Sequence, residues 1–365
     1  MVTHRRPFAG VCRTMLKKNA QKTVFPFSRP VQLPLESYTR PRVDVPRARA
    51  RALSRMRPHA STAKALNRGA FVVVLSPAKA LNERPVSARQ QAIVRELVSV
   101  PEFDDRARAT ARAASKTLNA GKIKTLMGVS DAIATLNAKR FKEFEDAERK
   151  PCALSFDGPA FKHLDAETLD ADRAVYLSQH LRVLSGMYGI LRAYDAIAPY
   201  RLEMGTRWAP KADAKDLYEF WGADIANSIA DDVEEMARTT QTKPFVVNCA
   251  SQEYWKSVKL ESLTERGIDV YTMSFPGPAV YAKQARGAMV RHCADALVGS
   301  PQELKAFVGT DGAWSYDEAA SSEFNFVFKR GSAPAKAKPE PPTKVKRAPQ
   351  TMAKRAPPKK VKSEE

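Results

Sequence analysis

Phe71-Val72-Val73-Val74-Leu75, bounded by Gly69 on one side and Ser76-Pro77-Ala78-Lys79 on the other, is the stretch on which the fold turns. A short apolar run rich in β-branched residues, closed by glycine and proline, carries the pattern of a buried strand. Pro77 has no N–H to give to a ladder, so the strand ends there and Lys79 emerges from the sheet edge. Polar groups at the carboxyl ends of strands are where open α/β sheets place their sites.

Working outward, residues 245–248, 268–273 and 324–328 read as strands of the same kind. Helical patterns lie between them, over 90–98, 107–118, 123–127, 131–145, 171–184, 217–236 and 280–298. The mixture predicts one α/β (mixed α+β) domain over 70–330, without the regular alternation of a clean doubly wound sheet. No internal repeat, Gly-rich nucleotide fingerprint, Walker-type loop or Gly-x-Ser-x-Gly elbow is visible.

The formal charge of +20 divides unevenly. Residues 1–69 hold 16 Lys/Arg against 2 Asp/Glu, a net of +14, and residues 331–365 hold 10 against 3, a net of +7. The domain between them has 34 against 35, a net of −1. Basicity belongs to the ends and the core is balanced. The Arg- and Pro-rich leader reads either as an organelle transit peptide or as an unstructured basic extension. The Lys/Pro/Ala-rich tail is expected to be disordered. Pro357-Pro358-Lys359-Lys360-Val361-Lys362 within it looks like a nuclear-localisation signal, so cytoplasm, nucleus and organelle all stay open.

Cys12, Cys152, Cys249 and Cys293 are far apart and form no Cys-x-x-Cys pair, which points to reduced thiols inside a cell. No apolar run approaches the roughly 20 residues that cross a bilayer, so a soluble chain without a membrane partner is expected. His163, His180 and His292 show no metal-ligand spacing, so the sequence predicts no structural metal, and no cofactor is expected.

Four constellations could do chemistry. Lys79 follows one strand, and Asn248 and Ser251 follow another, with Glu253, Tyr254 and Lys256 just behind. Two strand ends with polar clusters suggest a shared cleft, although turn chemistry with an exposed lysine gives the same pattern. A second group is a helix bearing Lys122 and Lys124, a Gly128-Val129-Ser130 turn, and a helix bearing Lys139 and Arg140. This arrangement resembles a helix-hairpin-helix element, whose second helix aims free N–H groups at a phosphate. Ser130 or Asp131 can equally cap those donors. In the third, Arg182, Arg192 and Arg201 offer bidentate donors, while Asp195 and Glu203 stand close enough in sequence to neutralise them. In the fourth, Lys283 and Arg286 share a helix face beside Gly287, as an anion contact or as a solvated basic face.

Five motifs in fixed order carry a resemblance. They are Ser76-Pro77-Ala78-Lys79, the block from Leu184 to Arg192, Pro199-Tyr200-Arg201-Leu202-Glu203-Met204, the block from Asn248 to Tyr254, and Tyr281-Ala282-Lys283-Gln284-Ala285-Arg286-Gly287. Together they resemble the YaaA family of peroxide-stress proteins. The resemblance implies a mixed α/β domain with a basic cleft and a helix-hairpin-helix element. It also implies binding of double-stranded DNA with little sequence preference, and protection against hydrogen peroxide by restraining free iron and oxidative DNA damage. Whether iron binds directly is left open. Asp157 and Phe161 depart from the family pattern, which has lysine and tyrosine there, and weaken the expected anion affinity of that corner.

The leading expectation is therefore a non-enzymatic DNA-binding stress protein. The alternative is an enzyme acting on a small phosphate- or purine-containing molecule, with Lys79, Arg201 and Lys256 holding the anion and Glu203 or Glu253 as acid or base. A third reading makes the core a protein-interaction module and leaves nucleic acid to the tails. A basic stripe over the hairpin favours DNA, whereas a narrow pocket converging on Asn248, Ser251, Arg201 and a carboxylate favours an enzyme.

Overall fold

The strand at Phe71–Leu75 (β1) sits in the middle of a seven-stranded sheet, and every one of its residues is buried. The structure is a computed structural model that describes residues 68–331. The expectations for the leader and the tail fall outside the described residues.

After β1 the chain makes β2 (Ala80–Leu81), then α1 (Ala88–Val94), α2 (Asp104–Thr117), α3 (Ala120–Met127) and α4 (Asp131–Lys142). Small elements follow: β3 (Lys150–Pro151), α5 (Cys152–Ser155), β4 (Phe156–Asp157) and α6 (Pro159–Leu164). Helix α7 (Ala171–His180) then leads into β5 (Leu181–Ser185), β6 (Gly189–Arg192) and β7 (Ala196–Ile197). The remaining order is α8 (Leu217–Trp221), α9 (Asp224–Thr240), β8 (Phe245–Cys249), α10 (Gln252–Trp255), α11 (Leu260–Thr264), β9 (Asp269–Ser274), α12 (Ala279–Ala296), β10 (Trp314–Tyr316) and β11 (Asn325–Arg330).

The large sheet has the order β10-β11-β9-β8-β1-β5-β6. The five strands from β11 to β5 are parallel, and an antiparallel strand closes each margin. Parallel strands buried on both faces read as continuous apolar runs, which is why β1 and β8 were visible in the sequence. The chain moves from β1 outward to β5 and β6, then returns to the other side of β1 as β8 and continues to β9. The boundary between β1 and β8 is thus a topological switch point, where connections leave in opposite directions and open a crevice at the carboxyl ends of the strands.

Two helical expectations are corrected. The pattern over 171–184 is a helix only to His180; Leu181–Ser185 is β5, buried throughout and paired with β1 through Val73–Leu181, Val74–Arg182 and Leu75–Val183. The apolar residues that continue the helical period also suit a two-faced strand, and pairing in the sheet decides between them. The pattern over 217–236 is broken at Gly222, whose φ of 54° ends α8 before α9 begins. Packing between helices is close. A Cβ on Gly287 of α12 would lie 1.7 Å from the carbonyl oxygen of Ala160 in α6, so only glycine lets these helices touch there.

Candidate functional site

The loops after β1 and β8 are tied to each other. Ser76 Oγ accepts the Ser251 N–H at 2.8 Å and also donates to Ser251 Oγ at 3.2 Å. Asn248 Oδ1 accepts the Ala250 N–H at 2.9 Å, and its amide reaches Thr272 Oγ1 of β9 at 3.4 Å. Asn248 and Ser251 therefore shape the strand ends of the crevice. Ser76 had no place among the expected site residues, although it opens the motif after the strand.

The segment 199–204 forms one wall of the crevice and is rigidly held. Tyr200 Oη and Ser185 Oγ are 2.6 Å apart, and the backbone of Leu202 lies so close to Gly186 that a Cβ there would be 2.4 Å from its carbonyl oxygen. That fit explains Gly186 in the Leu184–Arg192 block. The segment delivers Arg201 and Glu203 opposite Lys79. Glu203 Oε1 takes Arg201 Nε at 2.9 Å and Lys79 Nζ at 3.5 Å. Glu203 is 8% exposed, and its Oε2 is buried without a hydrogen-bond partner. These side chains, with Pro77, Ala78 and Tyr254, line a narrow recess with room for about one small group. Burial, with the nearby charges of Glu253 and Glu203, pushes the Tyr254 phenol above its ordinary range.

Arg286 approaches from α12. Its guanidinium interacts with the thiol of Cys249, the last residue of β8, which pairs in register with Leu75. Arg286 Nε has no partner, and burial lowers the pKa of the guanidinium from its ordinary value. A half-buried cation without a carboxylate is costly unless an anion completes it. Burial pushes the Cys249 thiol up to about 12. Lys283, one turn earlier on α12, is exposed.

The other expected residues lie elsewhere or act as supports. Glu253 Oε1 accepts the Gly205 N–H at 3.2 Å and so anchors the loop beyond Glu203, and Lys256 Nζ lies 4.8 Å from the ring centroid of Tyr218. Arg182 and Arg192 face each other across β5 and β6 and share the carboxylate of Asp232, at 2.6 and 3.0 Å. Burial raises the Asp232 pKa, but the two guanidinium charges outweigh it and hold the carboxyl below its usual range. Arg201, at the Glu203 wall, has no part in that group. Asp232 stands far along the chain in α9, among other acids, and no sequence signal marks it.

Helices α3 and α4 meet at Gly128, whose φ is 59°, as the turn pattern predicts. Ser130 caps α4 by accepting the Ile133 N–H, and Lys124 pairs with Asp131 at 2.9 Å. Lys139 pairs with Glu143 at 3.9 Å, Arg140 with Glu83, and Lys122 donates to the Thr117 carbonyl. Leu126, Ile133 and Leu136 are exposed beside these cations. At the departure from the family pattern, Asp157 pairs with Lys162 at 3.3 Å, and Phe161 is buried against Phe156. Lys162 thus supplies a cation beside the position where the pattern has one.

Among the described residues, no group of three or more His, Cys, Asp or Glu could hold a metal ion, and no helix is long and apolar enough to cross a membrane. The profile of the family described as "Peroxide stress protein YaaA" matches residues 71–320. A UPF0246 protein of Rhizorhabdus wittichii is 38% identical over 268 residues, covering 71% of this chain and all of that protein. UPF0246 proteins of Burkholderia thailandensis and Cupriavidus metallidurans are 38% and 37% identical over 270 residues, covering 71% of this chain and 98% of each relative.

Proposed function

Because the chain belongs to the YaaA family of peroxide stress proteins, we propose that it protects against hydrogen peroxide by binding double-stranded DNA, with little sequence preference, and limiting iron-driven damage to it. One observation carries the reading. At the carboxyl ends of β1 and β8, Lys79 is exposed beside the Arg201–Glu203 pair, while Arg286 is half-buried with its Nε unmatched by any acid. An edge with cations in excess on an otherwise balanced domain suits a phosphate backbone. The hairpin adds Lys122, Lys124, Lys139 and Arg140, whose partners are surface carboxylates or a carbonyl that a phosphate can displace. The basic leader and tail supply further phosphate contacts.

The test is duplex binding, followed by fluorescence anisotropy against salt, for the full chain and for residues 68–331. The domain is expected to bind by itself, with a log–log salt slope that falls by about 1 for each phosphate contact removed, as in Lys79→Ala or Arg286→Gln. Binding confined to the full chain would overturn the reading for the domain and assign DNA to the ends.

A second reading has its own observation in Glu203, a buried carboxylate with one oxygen clamped by two cations and the other unbonded in a recess. That geometry fits an enzyme acting on a small phosphate-containing molecule, with Glu203 as general base.

A further inference from the structure

The orphan oxygen of Glu203 narrows the chemistry of what the crevice accepts. A buried carboxylate oxygen costs free energy when it makes no hydrogen bond, and native structures leave few such groups unexplained. Here the first oxygen already takes Arg201 and Lys79, and the backbone that carries the side chain is locked by Tyr200 on Ser185 and by the close approach at Gly186. The second oxygen cannot turn away to find a partner without breaking that arrangement. It fits a ligand that brings a donor, a hydroxyl or an amino group, into the recess.

Arg286 shows the complementary lack. Its Nε is an unused donor on a half-buried cation that lies within electrostatic range of Cys249, the last residue of β8. Three contacts relate it to Lys79. Cys249 is in register with Leu75, four residues before Lys79. A Cβ on Gly158 would lie 2.8 Å from the Ala78 Cβ, and Ala160 lies against Gly287 beside Arg286. The loop that carries Lys79 and the helix that carries Arg286 both pack against the segment 158–160, and the Glu203 recess is lined by Lys79 and Arg201.

We propose that the switch-point crevice binds a small phosphate ester that also carries a hydroxyl or amino donor, with the phosphate on Arg286 and Lys79 and the donor on Glu203 Oε2. Sugar phosphates and nucleotides share this chemistry. The inference rests on reading the crevice as an anion site. It goes beyond duplex binding, because a phosphodiester backbone uses the cations but has no need of an inward-facing acceptor. In DNA the hydroxyls that flank phosphate are esterified, whereas a free small molecule retains them.

Isothermal titration calorimetry on the full chain tests this with inorganic phosphate, ribose 5-phosphate, adenosine 5′-monophosphate and adenosine. Ribose 5-phosphate, the nucleotide or both are expected to bind about tenfold or more tighter than inorganic phosphate, the gain of a hydrogen bond to a charged group. Preference between the two identifies the source. Glu203→Gln should bring the affinity ratio of the esters to inorganic phosphate down to about one, whereas Arg286→Gln should weaken every phosphorylated probe and keep that ratio. Lys79→Gln, at an exposed position that cannot threaten the fold, should weaken the phosphorylated probes by several-fold. Adenosine binding as well as its phosphate, equal affinity for inorganic phosphate and both esters, or no effect of Lys79→Gln would overturn the proposal. Duplex binding measured on the same variants separates the two ideas. If DNA binding survives Glu203→Gln while no small ester binds, this proposal fails and the DNA reading stands. If small esters bind as expected and DNA does not, the reverse holds.

Discussion

His180 is a titratable side chain that acts structurally. Its ring stacks between Phe71 and Tyr176, with centroids 4.5 and 4.2 Å away, and Nδ1 donates to the Phe71 carbonyl at 2.8 Å. Burial, opposed by that hydrogen bond and reinforced by the charge of Arg182, lowers its pKa to about 4. The unfolded chain therefore takes up a proton near pH 6.5 that the folded chain refuses until about pH 4. Stability is complete above 6.5 and falls as pH drops through that window, by up to about 3 kcal/mol. Urea unfolding across a pH series should show this slope, and His180→Gln should flatten it; an unchanged slope would place the acid sensitivity elsewhere. At this scale the sequence was silent, because a histidine without ligand spacing looks alike whether it is buried or exposed. The same applies to Glu203, whose identity in Pro199–Met204 was legible while its unbonded oxygen was not.

Elements were more legible than their boundaries. β1 and β8 stood out because two-faced burial leaves uninterrupted apolar runs, and α9 and α12 because their apolar positions recur with helical period. β5 was hidden, since Leu181, Val183 and Leu184 continue the pattern of α7, and only pairing with β1 separates the two. The partner of Arg182 was hidden in a related way. In sequence this arginine offers either an anion contact or an ion pair with Asp195 or Glu203; it is 5% exposed and is neutralised instead by Asp232 of α9. That joint fastens the β5–β6 hairpin to the helix covering it. Asp232→Asn should cost about 3–5 kcal/mol, because it leaves a buried guanidinium uncompensated. Thermal unfolding measures this, and a loss below 1 kcal/mol would mean that water reaches Arg182. The hairpin of α3 and α4 was read correctly as two helices and a turn, but the surface pairing of its cations involves Glu83, which local spacing does not predict.

On the scale of the whole molecule, the charge division by region separates a neutral fold from basic ends. The bacterial relatives match over 98–100% of their own lengths with 268–270 residues of this chain, so the domain corresponds to proteins that stand alone. Residues 68–331 are accordingly expected to unfold cooperatively, within a few degrees of the full chain's melting temperature. Calorimetry checks this, and a broad transition or a large drop would show that the ends contribute to the fold. The position of β1 has one more consequence, for the nascent protein. Val73 waits for Leu181 on one side and Val247 on the other, so this apolar strand is made first and waits longer for its neighbours than any other strand of the sheet. At 5–20 residues per second, translation leaves it without β8 for on the order of 10–30 s. A bare Phe-Val-Val-Val-Leu segment is a template for aggregation during that interval. Lys64 and Arg68 just upstream place repelling charge beside it, gatekeepers for the ribosome-bound chain.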